Sequence, residues 1–254
     1  MRTLNMRINT LLAAGAIAIT SAAVQAAPMV SVAGVHWDAG SNFDFTSTSD
    51  LIEDQLDLPN GQNELHGFGL INKINQTSQS VFCPSGCELT YQFGGYTVAT
   101  TTPDGNGGAA IDFTGGWINF YVDSSTAYNA EDESSATNGV LWLSLAAHEV
   151  AGITLEAALT SFGAGVDSGT GTGLLDVVGG LAAANFDTNS QTDGSDFVFS
   201  SSYQPIPFGH VTADGYELFG TADLRGESIA VSAPTTTLLF GLGLLGMAAT
   251  RKRT

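Results

Sequence analysis

Asp187, Asn189, Gln191 and Asp193 place an oxygen-bearing side chain at every second position of one short segment, just before Gly194. Alternating oxygen ligands are how loops surround calcium, a hard cation that prefers carboxylate and carbonyl oxygen. The stretch Asp104-Gly105-Asn106-Gly107-Gly108 begins in the same way. Neither completes an EF-hand loop. The first lacks the glycine at the sixth position and the bidentate glutamate at its end, and the second has glycine where ligands should continue. Asx-Gly clusters also build ordinary turns. The expectation is therefore no cofactor, with calcium left open at Asp187, Asn189 and Asp193.

Sugar recognition is the second chemistry these residue types could perform. In Trp117-Ile118-Asn119-Phe120-Tyr121-Val122, strict alternation puts Trp117, Asn119 and Tyr121 on one strand face and Ile118, Phe120 and Val122 on the other. An exposed ring beside an amide can stack on a pyranose and hydrogen-bond its hydroxyls, so Trp117 and Tyr121 are the carbohydrate candidates. Trp142, within the apolar run VLWLSL, reads as core.

Catalytic signatures are weak by comparison. His148-Glu149 starts like a zinc-protease motif, but Gly152 stands where the second histidine ligand would be. No G-x-S-x-G elbow occurs, and His36, His66, His148 and His210 lie far apart in sequence. Carboxylate pairs for glycoside hydrolysis are available, but acids are so abundant that no pair stands out. The expectation is a noncatalytic protein. Its rivals are a polysaccharide-active hydrolase, recognisable by two carboxyl groups in an aromatic cleft, and a calcium-dependent adhesin.

Short alternating segments must position these residues. Candidates are Glu88 to Phe93, Tyr96 to Thr101, Ala109 to Phe113, Trp117 to Val122, Val140 to Leu145, Ile153 to Leu159, Leu174 to Val178, Phe197 to Ser201 and Tyr216 to Thr221. Many short strands between turn clusters predict an all-β antiparallel sandwich, jelly-roll-like in order. Ala146 to Val150 and Gly180 to Ala184 read as short helical turns. Cys83 and Cys87 enclose the turn formers Pro84-Ser85-Gly86 and most simply form a disulfide in an oxidising compartment. Residues 27–230 form one body, with no internal repeat.

Charge divides the chain more sharply than composition. Only Lys73 and Arg225 of the seven Lys and Arg lie between residues 27 and 250, together with all 25 acidic residues, which leaves that body at −23. Such a surface repels nucleic acid and anionic lipid.

Both ends are apolar. Arg2 and Arg7 precede LLAAGAIAI, and Val24-Gln25-Ala26 gives the small-x-small pattern of a signal-peptidase site, so residues 1–26 read as a cleaved signal peptide. At the other end Pro234 opens a charge-free stretch closed by Arg251, Lys252 and Arg253, the pattern of a span whose basic end stays in the cytoplasm. Its Gly-Leu-Gly-Leu-Leu-Gly core also matches a dinucleotide fingerprint, but there is no room after it for the required helix and acidic residue. Residues 231–254 resemble the PEP-CTERM sorting segment of Gram-negative envelope proteins, with Val231-Ser232-Ala233-Pro234 in place of Val-Pro-Glu-Pro. The resemblance implies sorting by the membrane enzyme exosortase, through Val231, Pro234, Arg251, Lys252 and Arg253. It also implies a life first at the inner membrane and then at the cell surface or in an exopolysaccharide matrix. Signal peptidase, exosortase and exopolysaccharide are the partners expected.

Overall fold

The computed structural model describes residues 29–41, 43–163 and 167–231. The expected signal peptide and the segment from Pro234 to Arg253 lie outside them. Among the described residues no helix is long and apolar enough to cross a membrane.

Fourteen strands make up about half of the described residues: β1 (Met29–Val32), β2 (Val35–Asp38), β3 (Phe43–Glu53), β4 (Glu64–Leu70), β5 (Lys73–Ile74), β6 (Thr77–Ser78), β7 (Glu88–Pro103), β8 (Ala109–Thr114), β9 (Trp117–Asp123), β10 (Val140–His148), β11 (Leu155–Ser161), β12 (Ser168–Gly179), β13 (Phe197–Pro205) and β14 (Leu218–Gly226). Among the described residues three single-turn α-helices, α1 (Gln79–Phe82), α2 (Ser134–Thr137) and α3 (Ala183–Phe186), lie in the connections. The all-β antiparallel class is as the alternation predicted.

The order of the strands differs from a jelly roll. β8 and β9 run end to end along β7, from Pro103 opposite Ala109 to Glu88 opposite Asp123. β10 and β11 lie along β9 and β8 in turn, and β12 lies along both. β13, β14 and β3 follow, and β4 joins β3 to β7, which closes the ladder. Strands adjacent in sequence are mostly adjacent in space, so the chain meanders where a jelly roll would cross over in Greek keys. Opposite walls meet across one core, as in a sandwich: Phe45 of β3 stacks on Phe120 of β9 at 5.4 Å and meets Trp142 of β10 edge-on at 5.9 Å.

Two glycine pairs allow the long hairpin to bend. Gly94-Gly95 of β7 faces Gly115-Gly116 between β8 and β9, and Gly95, Gly115 and Gly116 all have positive φ. A methyl group on Gly116 would overlap the Tyr96 ring. The expected strands Glu88 to Phe93 and Tyr96 to Thr101 are thus two arms of one bent strand. Ala146 to Val150 is a correction: β10 stays extended to His148, because β9 and β12 pair with it on both sides through Ala146. The second expected helical turn overlaps α3.

One pole is closed by aromatic packing. Trp37 of the β1–β2 hairpin stacks on Phe186 of α3 at 5.2 Å and meets Phe43 and Trp142 edge-on. Its Nε1 donates to Ser228 Oγ at 3.0 Å, and Trp142 Nε1 donates to the Val32 carbonyl at 3.1 Å, so neither indole loses its hydrogen bond on burial. Each such ring contributes roughly 1.5–3 kcal/mol by leaving water, and each aromatic pair adds about 0.5–1.5 kcal/mol. Cys83 and Cys87 lie at disulfide distance, with Cα atoms 5.1 Å apart, and tie the end of α1 to the start of β7.

A smaller cluster sits outside the ladder. Ile52, Phe68, Ala136 and Tyr216 pack beneath the loop that carries α2. Thr90 Oγ1 anchors that loop by donating to the Ala136 carbonyl at 2.7 Å. The loop brings Glu133 over the outer face of β4, β7 and β9.

Candidate functional site

Pleating turns Trp117, Asn119 and Tyr121 of β9 outward, and register sets their neighbours: Gly94 is opposite Trp117, Gln92 opposite Asn119, and Thr90 opposite Tyr121. The two glycines decide the setting of Trp117. With no side chain on Gly94 or Gly95, the indole lies directly over that backbone; a Cβ on either would be 3.1–3.2 Å from the ring. A bulge between Leu65 and Gly67 displaces His66 of β4 from the ladder.

These residues border a shallow groove of about 440 Å³, in which Gln62, Asn63, Glu64, His66, Gln92 and Glu133 surround Trp117. Most of its polar groups are held in place. Glu64 Oε1 accepts from the Gly95 N–H at 2.9 Å. Gln92 Nε2 donates to Glu133 Oε1 at 2.7 Å, and the Glu133 N–H donates to Asp214 at 2.7 Å. His66 packs edge-on against Tyr216, with Nε2 3.6 Å from an Asp54 oxygen. An aromatic floor ringed by amides, carboxylates and an imidazole can stack on a sugar ring and hydrogen-bond its hydroxyls. Tyr121 is half-buried and lies four residues along the same strand, about 13 Å from Trp117, and it does not border the groove. Sequence alternation picks out Trp117; the contributions of β4 and of Glu133 depend on pairings between distant segments.

The calcium candidates are organised differently. Asp196, which is buried, accepts the N–H groups of Thr188 and Asn189 on one oxygen and that of Val177 on the other, at 2.6–2.7 Å. Asp187 Oδ1 is occupied by Asn189 Nδ2 at 3.0 Å. Asp193 faces a separate groove beside His148. Asp187 and Asn189 are thus joined within their own loop while Asp193 turns to the other groove, and among the described residues no three His, Cys, Asp or Glu side chains gather to hold a metal. Asp104 is likewise consumed by an Asx turn, accepting from the Asn106 and Gly108 N–H groups, which hold its carboxyl below the usual carboxylate range.

His148 meets a partner the local motif did not suggest. Its Nδ1 lies 2.8 and 3.0 Å from the two oxygens of Asp176, which sits on the paired strand β12. The nearby hydroxyl of Thr154 is buried and donates to the Gly115 carbonyl at 2.7 Å, so it is not presented as a nucleophile.

A second acidic feature lies inside. Glu53 is 3% exposed, and its side chain lines a cavity of about 20 Å³ with Asp167, Tyr203 and the rings of Phe93, Phe113 and Phe199. Burial, followed by the neighbouring charge of Asp54, pushes the Glu53 carboxyl up to about 8. Asp167, just beneath the surface, is raised by burial against the opposing Gly163 N–H. The cavity has room for water and not for a sugar. Sequence reading passed over Glu53, one acid among 25.

No protein-family model, curated protein or solved structure matches the chain. Of the residues expected to direct sorting, Val231 is exposed at the end of the described chain, and Pro234, Arg251, Lys252 and Arg253 lie outside it.

Proposed function

We propose that this is an exported, noncatalytic protein of the cell surface or extracellular matrix, which holds polysaccharide in the Trp117 groove. Export and sorting rest on the sequence of the two ends and on their resemblance to PEP-CTERM substrates, and the Cys83–Cys87 pair is compatible with an oxidising compartment. On this reading signal peptidase removes residues 1–26, the C-terminal segment retains the protein at the inner membrane, and exosortase processing near Pro234 allows transfer outward. The observation that carries the binding reading is the indole of Trp117, seated on bare glycine backbone in an open groove lined by amides and carboxylates.

Affinity electrophoresis of the full-length protein in detergent, through gels containing bacterial exopolysaccharide, tests the reading. The native protein should be retarded and Trp117→Ala should run as in the sugar-free gel, with both giving the same circular dichroism. Equal retardation of the two proteins would remove the groove from the function. Intact masses from cells with and without exosortase test the sorting half: a species lacking the C-terminal span should appear only with the enzyme.

A hydrolase is the second reading, because Glu64 and Glu133 both line the groove that Trp117 floors. Release of reducing ends from polysaccharide, abolished by Glu64→Gln and by Glu133→Gln, would put it in place of the binding reading.

A further inference from the structure

The charges around Trp117 are one-sided. Glu64 and Glu133 line the groove, and among the described residues no lysine or arginine does; His66 is the one basic side chain they place there, and it already faces Asp54. Lys73 and Arg225, the cations of the body, lie elsewhere: Lys73 on β5, and Arg225 4.0 Å from Asp44. The carboxylate of Glu64 rests on the Gly95 N–H, and Gly95 lies under the pyrrole edge of the Trp117 indole. An acidic group therefore stands at the margin of the stacking surface. Glu133 is fixed against Gln92 of β7, by that side chain and by its own N–H to Asp214. A sugar ring lying on Trp117 would present its equatorial substituents to these two carboxylates.

We infer that the groove selects amino sugars, so that the ligand is a glycan with free, protonated hexosamine amines, and uronate polymers are excluded. The inference rests on the reading that the Trp117 groove holds polysaccharide. A protonated amine beside Glu64 or Glu133 makes a charge-assisted hydrogen bond, stronger than a hydroxyl would make in the same place. A uronate carboxylate would enter between like charges with no cation to answer it. An N-acetylated hexosamine retains the stacking face and loses the charge, so it falls between the two.

The test uses the full-length protein in detergent and three soluble oligosaccharides of matched length, made of glucosamine, N-acetylglucosamine and a uronic acid, with binding measured by calorimetry at low salt. The glucosamine oligomer should bind at least tenfold more tightly than the N-acetylated one, and the uronate most weakly. Added salt should narrow the gap. Glu64→Gln and Glu133→Gln should weaken glucosamine binding by more than they weaken N-acetylglucosamine binding, so that the gap between the two closes, and should keep the native circular dichroism. Trp117→Ala should lose all three. Equal binding of the three oligomers, or uronate binding tightest, would overturn the amino-sugar selection and leave the glycan groove standing. A glucosamine preference that persists in Trp117→Ala would reduce the effect to attraction by the acidic body as a whole, and so overturn the selection too. No binding of any oligomer would overturn both.

Discussion

Glu53 in the interior and Glu133 on the outer face carry the same functional group in opposite surroundings. Glu133 is tied down by Gln92 while its groove stays open to solvent, so its charge is available to a ligand. Glu53 has apolar and aromatic walls, Asp54 and Asp167 as its acidic neighbours, and no cation lining the cavity among the described residues, so it keeps its proton into the neutral range. Register puts it there. Between Ser47 and Leu51, β3 spends four positions against two on β14, and this double bulge keeps Glu53 on the inward side with Phe43 and Phe45. The pleat of β3 sets the surroundings of Glu53, and the loop carrying α2 sets those of Glu133.

The sharpest way to break that contrast is through pH. The Glu53 carboxyl titrates near 8 when folded, against an ordinary value of 4.5. Between those two values the folded state holds a proton that the unfolded state has lost. Stability is therefore fully present below about pH 4.5 and falls as pH rises through about 8, by on the order of 4 kcal/mol. Glu53→Gln keeps the shape without the proton and should lose this slope. Urea unfolding at about pH 5 and about pH 8.5 measures it in both proteins. Parallel slopes would mean that Glu53 is already ionised in the folded state.

The sequence foretold the outer region better than the inner one. Alternation in Trp117 to Val122 assigned that strand and its exposed face, because a half-buried strand writes its period into the sequence. The whole of β1 to β6 escaped notice. Phe43 to Glu53 contains Thr48 and Ser49 in a bulge, with Ser49 at positive φ, which disturbs the alternation, and the two-residue strands β5 and β6 are too short to show a period. The jelly-roll-like order failed for a different reason: which strand pairs with which is a property of the closed ladder and of no single segment. The groove was half legible for the same cause, with Trp117 local and Glu64, His66, Gln92 and Glu133 brought in by pairing and by the loop carrying α2. Asp196, which accepts the Thr188 and Asn189 N–H groups, lies beyond the oxygen repeat of the 187–193 loop and carried no signal of its own in the sequence.

Gly116 links the two regions, since it lies under Tyr96, which lines the cavity, in the glycine-rich bend on which Trp117 rests. Gly116→Ala adds a methyl group that overlaps the Tyr96 ring, at φ +111. It should cost about 2–3 kcal/mol. Gly61→Ala, also at positive φ but with open space around it, isolates the backbone part and should cost about 1 kcal/mol. Denaturation midpoints of the two variants measure the difference. Equal losses would show that the bend tolerates a side chain, and that Tyr96 is free to move away from it.

The smallest effect is expected where the carboxylate is exposed to the groove. Glu133→Gln retains a carbonyl oxygen to accept from Gln92 Nε2, and its backbone N–H still reaches Asp214. Neither hydrogen bond requires a negative charge on residue 133, and the loop is held besides by Thr90 and Ala136. Stability should stay within about 0.5 kcal/mol of the native protein. Its dependence on pH should keep the Glu53 slope, in contrast to Glu53→Gln. The same urea series decides the point. A loss of more than about 1 kcal/mol would make Glu133 a structural residue of the α2 loop, and its charge would then be explained by the fold before any ligand is invoked.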